Sequence, residues 1–416
     1  MSTSVEILPL VETVVPVDQA ALAEQVRSAA RRGQAIYPLG GGTSLDYGLP
    51  PRQPGIGLSL AGLNRVVDYP ARDMTITVEA GITMSALAET LAAERQRLPV
   101  DAARAQEATL GGMLATDFSG PRRFGYGTLR DYVIGINAVD GQGRPFKAGG
   151  RVVKNVAGYD LCKLLVGSLG TVGVITQVTL KIRPQCTSSA WMLASLDDLA
   201  QADKLLEQLV TSRTTPVAVE LLVGADWRND GTLGRSFAAG SVRLAVGFEG
   251  TAPEIAWMIE QLTSEWQILG VTETLPFESV DAERIWNTLT EFPAKAPLAL
   301  VLKASVPPSA TVAMIQSIRD VDPNCTVQAH AASGVILARC AALSGEQVGR
   351  TLVRILQPAA ASRGGHIVVY SPGAETGLTR QAYWGLPGSD APLMKKVKEQ
   401  FDPQGLLNAG RFVFAP

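Results

Sequence analysis

The chain has 416 residues, 46% of them hydrophobic, and 37 Lys and Arg set against 39 Asp and Glu give a formal net charge of −2. This is a globular composition long enough for two or three domains, and it excludes a broadly basic nucleic-acid-binding protein. Two histidines, His330 and His366, exclude a multi-histidine metal centre, and four cysteines without a CxxC exclude a disulfide framework and a thiolate cluster of that type.

Residues 1 to 19 contain no Lys or Arg, so the basic start of a secretory signal is missing, and no apolar run approaches the ~18 residues of a membrane span. The expectation is a reduced, cytoplasmic protein with no span of its own and no nucleic-acid partner. In chain order, AALAEQVRSAARRG (20–33) has apolar residues at helical spacing and stops at Gly33, a C′ position. AIYPL is a short strand, and Gly40-Gly41-Gly42-Thr43-Ser44 follows at once. MTITVEAG (74–81) alternates as a strand, and MSALAETLAAERQ (84–96) reads as a helix. A second glycine cluster, ATLGGMLATDFSGPRRFGYGTLRDYVIG, covers 108–135. A third, KNVAGYDLCKLLVGSLGTVGVITQVTLKI, covers 154–182 and ends in β-rich sequence.

Beyond about residue 185 the texture changes. SLDDLAQADKLLEQLVTSR (195–213) is an amphipathic helix with Leu196, Leu199, Leu205, Leu206 and Leu209 as core. VAVELLVG (217–224) and VRLAVGFEG (242–250) read as strands, PEIAWMIEQLTSEWQILG (253–270) as a helix and TVQAHAASGVILARC (326–340) as a strand. A helix opens 345–365, HIVVYS (366–371) is a strand, and KEQFDPQGLLNAGRF (398–412) is a short helix and a turn. The expected fold class is α+β, in three parts: 1–185, an α+β domain at 186–385, and a C-terminal segment at 386–416.

Three glycines at a strand end expose bare N–H groups and let a ligand approach the backbone. Successive amides of this kind form a nest for anions such as phosphate, and Thr43 and Ser44 add hydroxyls. A flexible turn is the plainer reading; phosphate binding is the one preferred here. The loop is neither a Walker A nor a Rossmann loop. No Lys follows the glycines at the required spacing, and LDYGLPPRQPG cannot open a helix.

Taken together, PLGGGTSL, ATLGGMLATDFSGPRRFGYGTLRD, KNVAGYDLCKLLVGSLGTVGVITQVTLK and FDPQGLLNAGR resemble, in the same order, the PCMH-type FAD-binding (vanillyl-alcohol-oxidase) family. Within it the chain is most similar to the FAD-binding E-type subunits of glycolate oxidases. The resemblance is strong over about 8–185, good over the last ~20 residues and weak between them. It implies a flavin domain of two subdomains, an inserted cap or substrate domain, and a C-terminal segment returning to the flavin. It places Pro38, Leu39, Gly40, Gly41, Gly42, Thr43 and Ser44 at the pyrophosphate. Thr109, Leu110, Gly111, Gly112, Thr116, Ser119 and Gly120 would line the flavin and its ribityl chain. Gly173, Val174 and Ile175 would meet the adenine end, and Asn408 and Arg411 the isoalloxazine. With no His before residue 330, a histidyl link from the N-terminal domain is impossible, so the expected FAD is non-covalent.

Oxidation of a 2-hydroxy acid such as glycolate or D-lactate needs a cation for the carboxylate, a base for the hydroxyl proton and the flavin as hydride acceptor. Arg122, Arg123 and Arg411 are candidate cations, with phosphate or surface-acid pairing as the alternative for each. Arg411 and His366 are taken as catalytic candidates, His330 ranks lower, and Tyr126, Tyr159 and Lys154 are further polar candidates. The His-rich metal motif of the D-type dehydrogenases is missing. The resemblance therefore implies a subunit that carries electrons beside a homologous D-type FAD-binding subunit and an iron–sulfur subunit, with any membrane association made through those partners. Two alternatives stay open: a stand-alone FAD oxidase or dehydrogenase of a small alcohol or hydroxy acid, and a non-catalytic flavin-fold scaffold.

Overall fold

The computed structural model describes residues 8–150, 159–234, 242–294, 299–343, 345–375, 377–411 and 413. Lys154 and the segment around it lie outside the described residues. The chain divides into two units. The first comprises residues 1–118, 128–185 and 386–416, and the second comprises 119–127 and 186–385.

The first unit begins with a three-stranded parallel sheet, in which Gly55–Ser59 lies between Leu10–Val14 and Ala35–Leu39. The helix Gln19–Arg31 connects the first two strands in sequence. Its N-cap Asp18 accepts from the Ala21 N–H at 2.7 Å, and Gly33 takes the left-handed conformation just past its end. Its stripe of Leu22, Ala23, Val26 and Ala29 packs with Ile36, Ile56 and Leu58. A five-stranded antiparallel sheet follows, in the order Val66–Asp68, Thr75–Glu79, Val174–Lys181, Val133–Val139, Pro145–Gly149. Val139 and Val174 of this sheet enter the same core as Leu22 and Ile56, which fastens the two sheets together.

The C-terminal helix runs Ala391–Phe401, so it starts well before the short helix expected at 398. The chain then bridges back onto the first sheet. Ile36 donates to the Leu406 carbonyl at 2.9 Å, and Asn408 donates to the Ile36 carbonyl at 2.8 Å.

The second unit is built on an eight-stranded antiparallel sheet. Its order is Thr274–Glu278, Ser188–Leu196, Val242–Gly250, Ala218–Val223, Thr326–His330, Val335–Cys340, Leu300–Ser305, His366–Ser371. Residues 326–340 are thus a hairpin and not one strand. A turn at Ala331–Ser333 and left-handed Gly334 (φ +67°) reverse the chain. Along Ala218–Val223, Ala218 and Leu222 enter a core with Trp191, Ala245, Ile285 and Trp286. Glu220 falls between them on the same face, by the period-2 alternation of a strand.

Residues 119–127 pack within this second unit. Gly125 donates to the Val217 carbonyl at 3.0 Å, and a Cβ at Gly125 would meet Val217 Cα at 2.7 Å. Arg122 Nε pairs with Glu249 Oε1 at 2.7 Å, and its guanidinium lies 3.8 Å from the Trp286 ring.

Candidate functional site

The first unit holds a cleft lined by four stretches distant in sequence. Pro38 and Gly40 come from the end of the first-sheet strand, and Gly111 and Gly112 from the start of the helix Leu110–Thr116. Gly173, Val174 and Ile175 come from the strand Val174–Lys181 and the turn before it, and Asn408 from the C-terminal turn. Leu60, Ala115 and the Ser168–Gly170 loop complete the wall and are not among the residues assigned to the cofactor from the sequence.

The glycines are needed for close backbone approach. A Cβ on Gly41 would fall inside the Glu107 carbonyl oxygen, and one on Gly40 would fall on Thr109 Oγ1. Gly42, and not Gly41, is the residue in the left-handed region (φ +72°). Gly41 is fixed by the 107–108 backbone beside it. Among the described residues, none of the N–H groups of Gly41, Gly42, Thr43 and Ser44 has a hydrogen-bond partner, and Gly41 and Gly42 are exposed. Four adjacent unpartnered donors on a loop form a nest suited to phosphate oxygens.

Other residues singled out from the sequence have local tasks. Thr109 caps its helix, accepting from the Gly112 N–H at 3.3 Å, and Thr116 Oγ1 donates back to the Gly112 carbonyl at 3.0 Å. Leu110 is buried in the core and Leu39 ends its strand. The Leu110 and Gly111 N–H groups donate to the Ile82 and Ala80 carbonyls, so they bind this helix to the strand region before it. Ser119 accepts from Arg123 Nη1 at 2.9 Å and Gly120 accepts from the Arg123 N–H, both within the second unit.

Asn408 is left-handed (φ +47°), and its Nδ2 donates to the Leu169 carbonyl at 2.5 Å. Arg411 is 5% exposed, and its Nη2 donates to the carbonyls of Leu45 and Tyr47 at 2.6 and 2.7 Å. The C-terminal turn therefore holds both the 169–170 loop and the far end of the glycine loop. The Tyr47 phenol is pushed up to about 12, by burial and then by the Asp117 carboxylate.

The histidines lie in the second unit. His366 opens an edge strand and is exposed at the sheet margin, opposite Ser305. Its imidazole pKa is pulled down by the desolvation its neighbours impose on the ring, and then by the Lys303 ammonium. His330 is 2% exposed. Its Nδ1 lies 2.7 Å from Glu220 Oε1, whose Oε2 accepts from Gln328 Nε2 at 2.8 Å. His330 Nε2 is buried and has no partner. A carboxylate fixed on one ring nitrogen leaves the other free for a proton, so His330, ranked lower from the sequence, has the better-built surroundings. The one signal for it was an acidic residue inside the apolar run VAVELLVG. Tyr126 packs against the core of the second unit, and Tyr159 is exposed.

Among the described residues, no group of three His, Cys, Asp or Glu side chains is placed to hold a metal ion, and no helix is long and apolar enough to cross a membrane.

Comparison with known proteins bears on the first unit directly. Residues 12–149 match the FAD binding domain, and residues 377–412 match the C-terminal domain of FAD linked oxidases. Over 402 residues the chain is 27% identical to glycolate oxidase subunit GlcD of Bacillus subtilis, covering 90% of this chain and 83% of that protein. It is 27% identical over 428 residues to a D-2-hydroxyglutarate dehydrogenase of Xanthomonas citri, covering 93% and 85%. It is 35% identical over 170 residues to glycolate oxidase subunit GlcE of Escherichia coli, covering 41% and 48%. The fold matches that of an alkyldihydroxyacetonephosphate synthase, with a TM-score of 0.65 at 17% identity over 95% of this chain and 76% of that one.

The cleft fits the cofactor those matches name: it is bare of side chains where a Cβ would collide, and its glycine loop offers unpartnered amides to a diphosphate. The chain is a PCMH-type FAD-binding protein, an α+β FAD-dependent oxidoreductase.

Proposed function

We propose that this chain is the FAD-binding subunit of a glycolate-oxidising 2-hydroxy-acid dehydrogenase complex, with glycolate or D-lactate as the class of electron donor. FAD, when bound, supplies the hydride and electron acceptor. Gly41 to Ser44 would hold its diphosphate through backbone amides. Gly111, Gly112 and Gly173 to Ile175 would line its length, and Asn408 would close the cleft. The cofactor is held without a covalent link. Arg411 acts here by holding the glycine loop closed, since its Nη2 is committed to two loop carbonyls.

The observation that carries the subunit reading is joint similarity to both glycolate oxidase subunits in a chain whose described residues gather no metal site. The principal oxidation then belongs to a homologous FAD-binding partner. An iron–sulfur subunit takes the electrons onward, and any membrane association is made through these partners. Tagged chain expressed with its neighbours tests this. Co-purification with a second FAD-binding chain and a cysteine-rich chain supports it, and a chain that isolates alone with full glycolate turnover contradicts it.

The Glu220–His330 pair favours a second reading, a stand-alone dehydrogenase. A carboxylate-backed imidazole with a free Nε2 has the make-up of a general base for a hydroxyl proton. Anaerobic bleaching of the flavin of the isolated chain by glycolate or D-lactate selects this reading.

A further inference from the structure

The helix Ala391–Phe401 ends in a buried ion pair that neither the sequence reading nor the cleft itself brings in. Lys398 is 13% exposed at its side chain and Asp402 is fully buried. The ammonium has three donors, and all three are used. It donates to Asp402 Oδ2 at 2.5 Å, to the Thr171 carbonyl at 2.7 Å and to the Leu407 carbonyl at 3.2 Å. Asp402 in turn accepts from the Leu406 N–H at 3.1 Å and the Leu407 N–H at 2.8 Å. A Cβ on Gly141 would meet Asp402 Oδ1 at 2.5 Å, so the carboxylate sits against bare backbone.

The two carbonyls held by Lys398 belong to residues that adjoin different walls of the flavin cleft. Thr171 directly follows the Ser168–Gly170 loop, and Leu407 directly precedes Asn408; Ser168, Leu169, Gly170 and Asn408 line the cleft. The link is made twice, because Asn408 Nδ2 also reaches the Leu169 carbonyl. One buried cation thus fixes the spacing between two loops that meet the cofactor, without lining the cleft itself.

We propose that Lys398 and Asp402 are positioning residues for FAD: together they hold the 168–173 loop and the 406–411 turn in the arrangement the cofactor meets, so that binding does not have to order them. This rests on the cleft being the FAD site. Pre-organisation of this kind shows as affinity, because unordered loops must be fixed at the moment of binding. Removing the ammonium also leaves a buried carboxylate and two carbonyls short of their partner.

The test compares wild type, Lys398→Met, Asp402→Asn and the double variant. FAD Kd is measured by fluorescence quenching on apo-protein, with hydrogen exchange followed in 168–175 and 402–411. Wild type binding FAD while a folded Lys398→Met binds it on the order of 100-fold more weakly supports the proposal. Exchange should rise in both segments and not in the second unit, and the double variant should be no worse than Lys398→Met alone, because the two side chains act as one unit. Folded Lys398→Met with wild-type Kd overturns it. Should that variant not fold, Asp402→Asn decides, with weakening of about tenfold expected and an unchanged Kd contradicting the proposal. A wild-type chain that binds no FAD fails the cleft assignment instead, which separates the two claims.

Discussion

Arg411 Nη2 donates to the Tyr47 carbonyl at 2.7 Å, joining two residues 364 positions apart. With its second bond to Leu45, this guanidinium ties the C-terminal turn to the glycine loop, whose Gly40 lines the cleft. The loop is thereby held at both ends, by the strand Ala35–Leu39 before it and by Arg411 after it.

Arg411→Ala should weaken FAD binding by about 10- to 100-fold, since each lost bond from a charged donor is worth about 1.5–3 kcal/mol. Arg411→Lys should recover only part of this, because an ammonium lacks the planar fork. Equilibrium dialysis of apo-protein against FAD checks both.

Gly41→Val should abolish flavin content, because any Cβ there meets the Glu107 backbone. Gly42→Ala should be milder, costing about 1 kcal/mol for the left-handed backbone, since a Cβ at Gly42 finds only Leu45 Cδ1 at 3.9 Å. The ratio of flavin to protein absorbance in purified variants measures this order.

His366→Ala should leave flavin content intact and alter the acid limb of stability. The folded imidazole has a depressed pKa, so the unfolded chain binds the extra proton first, and stability declines as pH falls below the ordinary value near 6.5 toward the folded one. Thermal melts between pH 5 and 8 should lose that slope in the variant.

Glu79 is buried, and its carboxylate accepts from the Arg65 backbone N–H at 2.8 Å, from Nε at 3.1 Å and from Nη2 at 2.7 Å. Burial works to raise its pKa, but the three Arg65 bonds outweigh it and hold the group below the ordinary carboxylate value. Its stabilisation is thus present above about pH 4.5 and lost as pH falls through the lower folded value. Glu79→Gln should cost about 1–3 kcal/mol at neutral pH and flatten the acid arm of a denaturant-midpoint series.

Glu220→Ala removes the acceptor for both Gln328 Nε2 and His330 Nδ1 in a buried site, and should destabilise the second unit by about 2–4 kcal/mol. Urea unfolding followed by tryptophan fluorescence reads this out, since Trp191, Trp227 and Trp286 share that unit's core.

The sequence made the flavin-side architecture readable wherever signals were local. The helix after Asp18, the strand before Gly40 and the refusal of 45–55 to form a helix all follow from residues within a turn of one another. Hidden features depend on partners far along the chain. Gly41 looks like part of a flexible turn until Glu107 is seen against it. Residues 119–127 look continuous with the flavin segment, yet the Gly125 N–H goes to Val217. The hairpin at 326–340 was missed because its turn, HAASG, carries a single glycine between apolar runs. Lys398 and Asp402 carry no local mark of burial, and only tertiary packing buries them.

The most direct measurement is the visible spectrum of the purified, folded chain supplied with FAD, followed by anaerobic addition of glycolate and D-lactate. The oxidised-flavin bands should stay unchanged with either acid until the partner subunits are added. Absence of flavin bands from folded wild-type protein in excess FAD would contradict the assignment of the cleft to FAD.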